Sequence, residues 1–139
     1  MAVALYSVEG RVYWDETDAA QLVHFASVLL YCSRAEEEFL ISLAGRGWRP
    51  GTIVFPRVHV ECDYEAPLAP HERWRVDIVD VRLGRKSIEY TFEVHNLDRG
   101  LLAARCKIVT VTFDPRLGRA VEIPRELREA LLAAGARES

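Results

Sequence analysis

His24-Phe25-Ala26-Ser27-Val28-Leu29-Leu30-Tyr31-Cys32-Ser33-Arg34-Ala35-Glu36-Glu37-Glu38-Phe39-Leu40-Ile41-Ser42-Leu43-Ala44 repeats its apolar residues at helical spacing. Phe25, Val28, Leu29, Cys32, Ala35, Phe39 and Leu43 fall three or four apart, while Arg34, Glu37 and Glu38 lie off that stripe. Roughly 20 residues at about 1.5 Å each predict a helix of about 30 Å. Gly45 and Gly47 end it, with Arg46 near its negative C-terminal end.

The chain on either side of this helix reads as strand. Upstream, Met1 to Trp14 alternates loosely and is rich in Val and Tyr, which predicts a first strand. Asp15 to Gln21 breaks the alternation as a polar connector. Downstream, Ile53 to Tyr64 alternates around Pro56, a residue that favours a sheet edge or a bulge. Trp74 to Leu83 and Ser87 to His95 predict a hairpin around Gly84-Arg85-Lys86, and Leu101 to Phe113 follows a turn at Asn96-Leu97-Asp98-Arg99-Gly100. Pro124 opens a short amphipathic helix through Leu127, Leu131 and Leu132. The order is strand, long helix, four long strands, short helix. A helix with one apolar face ahead of a run of antiparallel strands packs most simply along one face of their sheet, so the class is α+β. There is no GxGxxG or GxxxxGK loop to support a nucleotide fold.

The chain's 139 residues, half of them apolar, are enough for one domain spanning 1–139 with its own core. Eighteen Lys and Arg against 21 Asp and Glu leave a net charge of −3, which argues against nucleic acid as a partner. No apolar run approaches the roughly 20 residues of a membrane span. Met1 to Gly10 has no Lys or Arg and carries Glu9, so it does not read as a signal peptide. Cys32, Cys62 and Cys106 are odd in number and widely spaced. They read as core thiols in a reducing, cytoplasmic compartment.

The connector carries the chemistry. Asp15, Glu16 and Asp18 stand just ahead of the long helix, whose first turn offers unpaired N–H groups and a partial positive charge. Such a terminus can polarise a carbonyl, and a carboxylate beside it can attack that carbonyl or deprotonate a water. Acidic residues ahead of a helix mostly serve to cap it, which is the plainer reading of these three.

Val12-Tyr13-Trp14-Asp15-Glu16-Thr17-Asp18-Ala19-Ala20-Gln21-Leu22-Val23-His24-Phe25 resembles the signature of the 4-hydroxybenzoyl-CoA thioesterase family of hotdog-fold proteins. The signature is an aromatic residue, paired acids, a glycine, Val and aromatics, then a helix like that of Tyr31, Arg34, Ala35, Glu38 and Phe39. The resemblance implies a hotdog fold, with the long helix on a curved antiparallel sheet of about five strands. It implies acyl-CoA hydrolysis, with Asp18 as nucleophile or general base and the Phe25 backbone N–H polarising the thioester carbonyl. No cofactor is expected, because CoA belongs to the substrate, and no metal.

Gln21 departs from the family's glycine, whose freedom at positive φ allows close backbone approach. Gln21 either fills that space or orients a water beside Asp18. His24, often aromatic in relatives, is a candidate proton relay or an ordinary hydrogen-bonded histidine. Arg82, Arg85, Lys86 and Ser87 around the hairpin turn are candidates for the CoA phosphates, with a solvated hairpin tip as the plainer alternative. His59, Glu61 and Asp63 share one strand face and read as outward-facing polar residues rather than metal ligands. Glu36-Glu37-Glu38 reads as a mostly solvated charge run, with a catalytic carboxylate as the alternative. The long strand Ile53 to Tyr64 calls for isologous pairing with a second copy, giving a homodimer or homotetramer with sites between protomers. A non-catalytic acyl-CoA or protein-binding module and a hotdog hydratase or dehydratase are the alternative functions.

Overall fold

The computed structural model describes residues 3–139. Five strands form an antiparallel sheet: β1 (Tyr6–Arg11), β2 (Arg57–Tyr64), β3 (Arg73–Leu83), β4 (Ser87–Asn96) and β5 (Leu101–Val111), in the order β1-β3-β4-β5-β2. One long helix, α1 (Phe25–Ser42), lies on one face of that sheet, and a short helix, α2 (Arg125–Ala133), follows it. Arg137–Glu138, not anticipated in the sequence, adds a short parallel pairing to β3. This is the hotdog arrangement that the connector's resemblance implies.

The apolar stripe builds the core. Val28, Tyr31, Cys32, Ala35, Phe39, Leu40 and Leu43 are buried against Trp74, Val76, Ile78, Tyr90, Phe92, Cys106 and Ile108 of the sheet. Each fully buried side chain of this size contributes roughly 1.5–3 kcal/mol. Tyr31 stacks on Trp74 at 4.4 Å, and Trp74 in turn demands glycine opposite it. A Cβ on Gly10 would lie 2.3 Å from the indole ring. One residue leaves the predicted stripe and a charged one joins its buried face. Phe25 is 63% exposed because it starts the helix, while Glu36 is buried inside it.

The strand boundaries differ from expectation for local reasons. The first strand runs over Tyr6–Arg11 instead of Met1 to Trp14; Met1 and Ala2 lie outside the described residues, and Trp14–Glu16 is a 3-10 turn. The Glu16 carboxylate holds that turn by accepting from the Tyr13 N–H at 2.9 Å. β2 begins at Arg57 because Pro56 offers no N–H; ahead of it only Val54 bridges, to Phe113. Asn96 is buried and organises the β4–β5 turn, its Oδ1 accepting from the N–H groups of Asp98 and Arg99 at 3.0 Å. In α2, Leu127 and Leu131 are buried, but Leu132 is partly exposed.

The cysteine expectation is overturned. Cys62 and Cys106 face each other directly across β2 and β5, with Cα atoms 4.1 Å apart, and form a disulfide; Cys32 is a buried free thiol. A sequence separation of 44 residues concealed a pair that the strand register sets side by side. The reducing compartment inferred from three free thiols loses that premise. Among the described residues, no helix is long and apolar enough to cross a membrane.

Candidate active site

The connector folds into a tight loop closed by an antiparallel bridge between Thr17 and Val23. The Asp18 N–H donates to Leu22 O, and Asp18 O accepts from the Gln21 N–H, both at 2.9 Å. Asp18 Oδ1 accepts from the Ala20 N–H at 2.9 Å, which leaves its other carboxylate oxygen without a hydrogen bond among the described residues. Gln21 sits at φ +60°, in the left-handed region that suits glycine. The departure from the family pattern is therefore accommodated by strain at one residue, on the order of 1 kcal/mol, rather than by a different loop.

Glu16, one of the three acids ahead of the helix, anchors this loop to it. Its carboxylate accepts from the Tyr13 N–H, from the Tyr31 hydroxyl at 2.7 Å and from Arg34 at 3.2 Å. Burial pushes the Glu16 carboxyl up, but these three donors outweigh it and hold the group below the usual glutamate range. Its backbone oxygen accepts from the His24 N–H and from the Ser27 hydroxyl, each at 3.0 Å. The start of α1 is thus fixed relative to Asp18.

His24 is the N-cap of α1. Its Nδ1 accepts from the Ala26 N–H at 3.2 Å, which places the neutral ring's proton on Nε2. The Phe25 N–H donates to no group among the described residues. Across the helix start, the Tyr64 hydroxyl of β2 donates to Phe25 O at 2.9 Å. Asp18, Leu22, Phe25, Val28, Tyr64 and Leu68 are among the residues lining a cleft of about 440 Å³ at this point. Asp18 and Phe25 therefore line one cleft, while Gln21 and His24 lie on the same exposed loop and helix start without lining it.

The basic candidates do not join them within one chain. Arg57 of β2 pairs with Thr110, which pairs with Ile88 beside the hairpin turn; Tyr64 pairs with Ala104, which pairs with Val94. Six residues along β4 and β5 at about 3.3 Å each separate these two rows by roughly 20 Å. Lys86 is exposed, Arg85 lies 3.6 Å from Glu122, and partly buried Arg82 lies 3.9 Å from Glu89. Ser87 folds its hydroxyl over Gly84.

A second cleft of about 440 Å³ opens at the Arg57 end, lined by Ser33, Glu36, Leu40, Trp48, Phe55 and Arg57 among others. Arg57 donates to Glu36 Oε1 and, at 3.0 Å, to Ser33 Oγ. Glu36 is 3% exposed, and its burial pushes the carboxyl up to about 7 despite the arginine. The sequence grouped Glu36 with Glu37 and Glu38 as a solvated run, but only the latter two are exposed. The signal that could have separated them is position: Glu36 falls one residue after Ala35 and four after Cys32, on the inward side.

His59, Glu61 and Asp63 are exposed, with His59 Nε2 2.8 Å from Glu61. Asp77, Glu93 and His95 bring ligand-type atoms within 4.8 Å of one another. Arg75 already holds Asp77 at two points and Arg105 holds Glu93, so this cluster is an ion network on the sheet face away from α1.

The thioesterase-like superfamily model matches residues 12–131. The chain belongs to that superfamily. The 1,4-dihydroxy-2-naphthoyl-CoA hydrolase of Synechococcus sp. strain CC9311 is 31% identical over 109 residues, covering 68% of this chain and 72% of that protein. The enzyme of the same name from Nostoc punctiforme is 33% identical over 93 residues, which span 64% of this chain and 62% of its own length. Among solved structures, a protein from Pseudomonas aeruginosa strain PAO1 is 28% identical with a TM-score of 0.81, covering 94% of this chain and 92% of that one. A gentisyl-coenzyme A thioesterase structure, 24% identical with a TM-score of 0.77, covers 89% of this thioesterase-like chain and 98% of its own and shares the fold. The resemblance of the connector thus holds at the level of the superfamily; the named relatives do not single out its 4-hydroxybenzoyl-CoA branch.

Proposed function

We propose that this protein hydrolyses an acyl-CoA thioester to a free acid and CoA. The observation that carries the proposal is the shared cleft lined by both Asp18 and Phe25 at the start of α1, where the Phe25 N–H has no partner among the described residues. The thioester oxygen accepts from the Phe25 N–H, and the helix terminus stabilises the charge that grows there during attack; one such donor is worth about 3 kcal/mol. Asp18 attacks the carbonyl carbon itself, or takes a proton from the water that does. The C–S bond breaks and the thiolate leaves, gaining a proton from solvent; if an acyl-aspartate has formed, water then releases the acid. His24 holds the helix start as a cap.

The complete site needs two copies. β2 is a sheet edge of eight residues, with Val58 60%, Val60 44% and Tyr64 48% exposed, Tyr64 lying beside Phe25. An apolar edge of this kind is covered by isologous pairing with a second β2. Antiparallel pairing brings the Arg57 end of one protomer to the Tyr64 end of the other. That places the hairpin turn with Arg85 and Lys86 of the partner subunit near the cleft of Asp18, where CoA phosphates require cationic groups. The names of the relatives support an aromatic, hydroxylated acyl group as the substrate class.

The test is thiol release from aliphatic, benzoyl and hydroxyaryl CoA esters by the purified protein. Release with at least one class supports the proposal. Binding of CoA esters without release across the panel would leave a binding module, and a changed acyl chain with the thioester intact would indicate hydratase chemistry.

A further inference from the structure

The second cleft contains a polar group that the fold does not use up. Glu36 is buried in an apolar wall, and its Oε2 has no hydrogen bond among the described residues.

Backbone geometry aims Arg57 at this spot. β2 pairs Arg57 with Thr110 and His59 with Val109, so Val58 is an extra residue in a bulge. Without the bulge, strict alternation would set Arg57 on the outer face with His59, Glu61 and Asp63. With it, Arg57 crosses to the α1 face and reaches Ser33 and Glu36. Trp48, Phe55 and Leu40 supply flat and apolar walls around this polar end.

Position decides what the cleft can serve. Along α1, eleven residues separate Phe25 from Glu36, about 17 Å at 1.5 Å per residue, too far for an acyl group whose carbonyl sits at its own chain's Phe25. In an antiparallel β2 pair, the corresponding end of the second protomer lies alongside. We infer that Glu36, Arg57 and Ser33 of the partner subunit form the polar end of the acyl pocket and select an aromatic acyl group bearing a hydroxyl. The hydroxyl donates to the carboxylate or accepts from the guanidinium, while the ring lies between Trp48 and Phe55. This inference rests on the two-protomer hydrolase proposed above.

The experiment compares kcat/KM for 2-naphthoyl-CoA with that for its 1,4-dihydroxy counterpart in wild type, Glu36→Gln, Arg57→Ala and the milder Ser33→Ala. Wild type is expected to favour the hydroxylated ester by about 10- to 100-fold, the range that follows from leaving one buried hydrogen-bonding group of the pocket unpaired. Glu36→Gln and Arg57→Ala are expected to bring the ratio close to one, and Ser33→Ala to lower it. A purified heterodimer of Asp18→Asn with Glu36→Gln keeps one site with both groups intact only if they come from different protomers, so the wild-type ratio should return. Ratios unchanged in every variant, or no return in the heterodimer, would overturn the inference. If no ester is hydrolysed, the hydrolase proposal fails separately. Binding of the same two esters to the Asp18→Asn protein then decides the pocket: at least tenfold tighter binding of the hydroxylated ester supports it, and equal binding refutes it.

Discussion

Replacing Glu36 with glutamine should change how stability depends on pH, because the folded chain holds this carboxyl's proton over a range in which the unfolded chain releases it. Glu36 is 3% exposed among apolar residues, and burial raises it from an ordinary 4.5 to about 7, with Arg57 offsetting part of the effect. The sign follows from proton uptake: between those two values the folded state binds more protons, so stability falls as pH rises. The contribution is fully present below about 4.5 and lost by the time pH passes about 7. At about 1.4 kcal/mol per pH unit, the full loss is on the order of 3 kcal/mol. Urea unfolding of wild type and Glu36→Gln at pH 5 and pH 8 measures it. Wild type should lose about 2–3 kcal/mol more than the variant between these two conditions. Parallel losses would show that Glu36 is ionised and well solvated by Arg57 in the folded chain, and would refute the reasoning.

Other substitutions test the loop and the sheet. Gln21→Gly should relieve the left-handed strain at φ +60° and raise the urea midpoint by an amount worth about 0.5–1 kcal/mol. Gly10→Ala should destabilise by about 1–3 kcal/mol, read the same way, because its Cβ would meet the buried Trp74 ring at 2.3 Å. Reducing the Cys62–Cys106 bond should cost about 2–4 kcal/mol, and a thiol titration of the unfolded, unreduced chain should find Cys32 alone.

Much of this molecule is legible in its sequence because its signals are periodic or local. The spacing from Val28 to Leu43 marks α1, alternation marks the strands, and Gly84 and Asn96 mark the turns where β3, β4 and β5 reverse. The cleft shared by Asp18 and Phe25 is local as well, since eight residues of one loop and helix start contain both. What escapes the sequence depends on register and long-range pairing. The Cys62–Cys106 bond and the reach of Arg57 to Glu36 both arise from how β2 lies on β5 and from one extra residue at Val58. Nor does composition reveal that Glu36 turns inward while Glu37 and Glu38 face solvent.

The claim at the centre is that the carboxylate of Asp18 drives the attack on the thioester. Its most direct test is kcat of Asp18→Asn against wild type on the best CoA ester found, followed by thiol release, with circular dichroism and urea midpoint as controls for folding. The account predicts a fall in kcat of at least about 1,000-fold with the fold intact. Turnover within tenfold of wild type in a folded variant would contradict it.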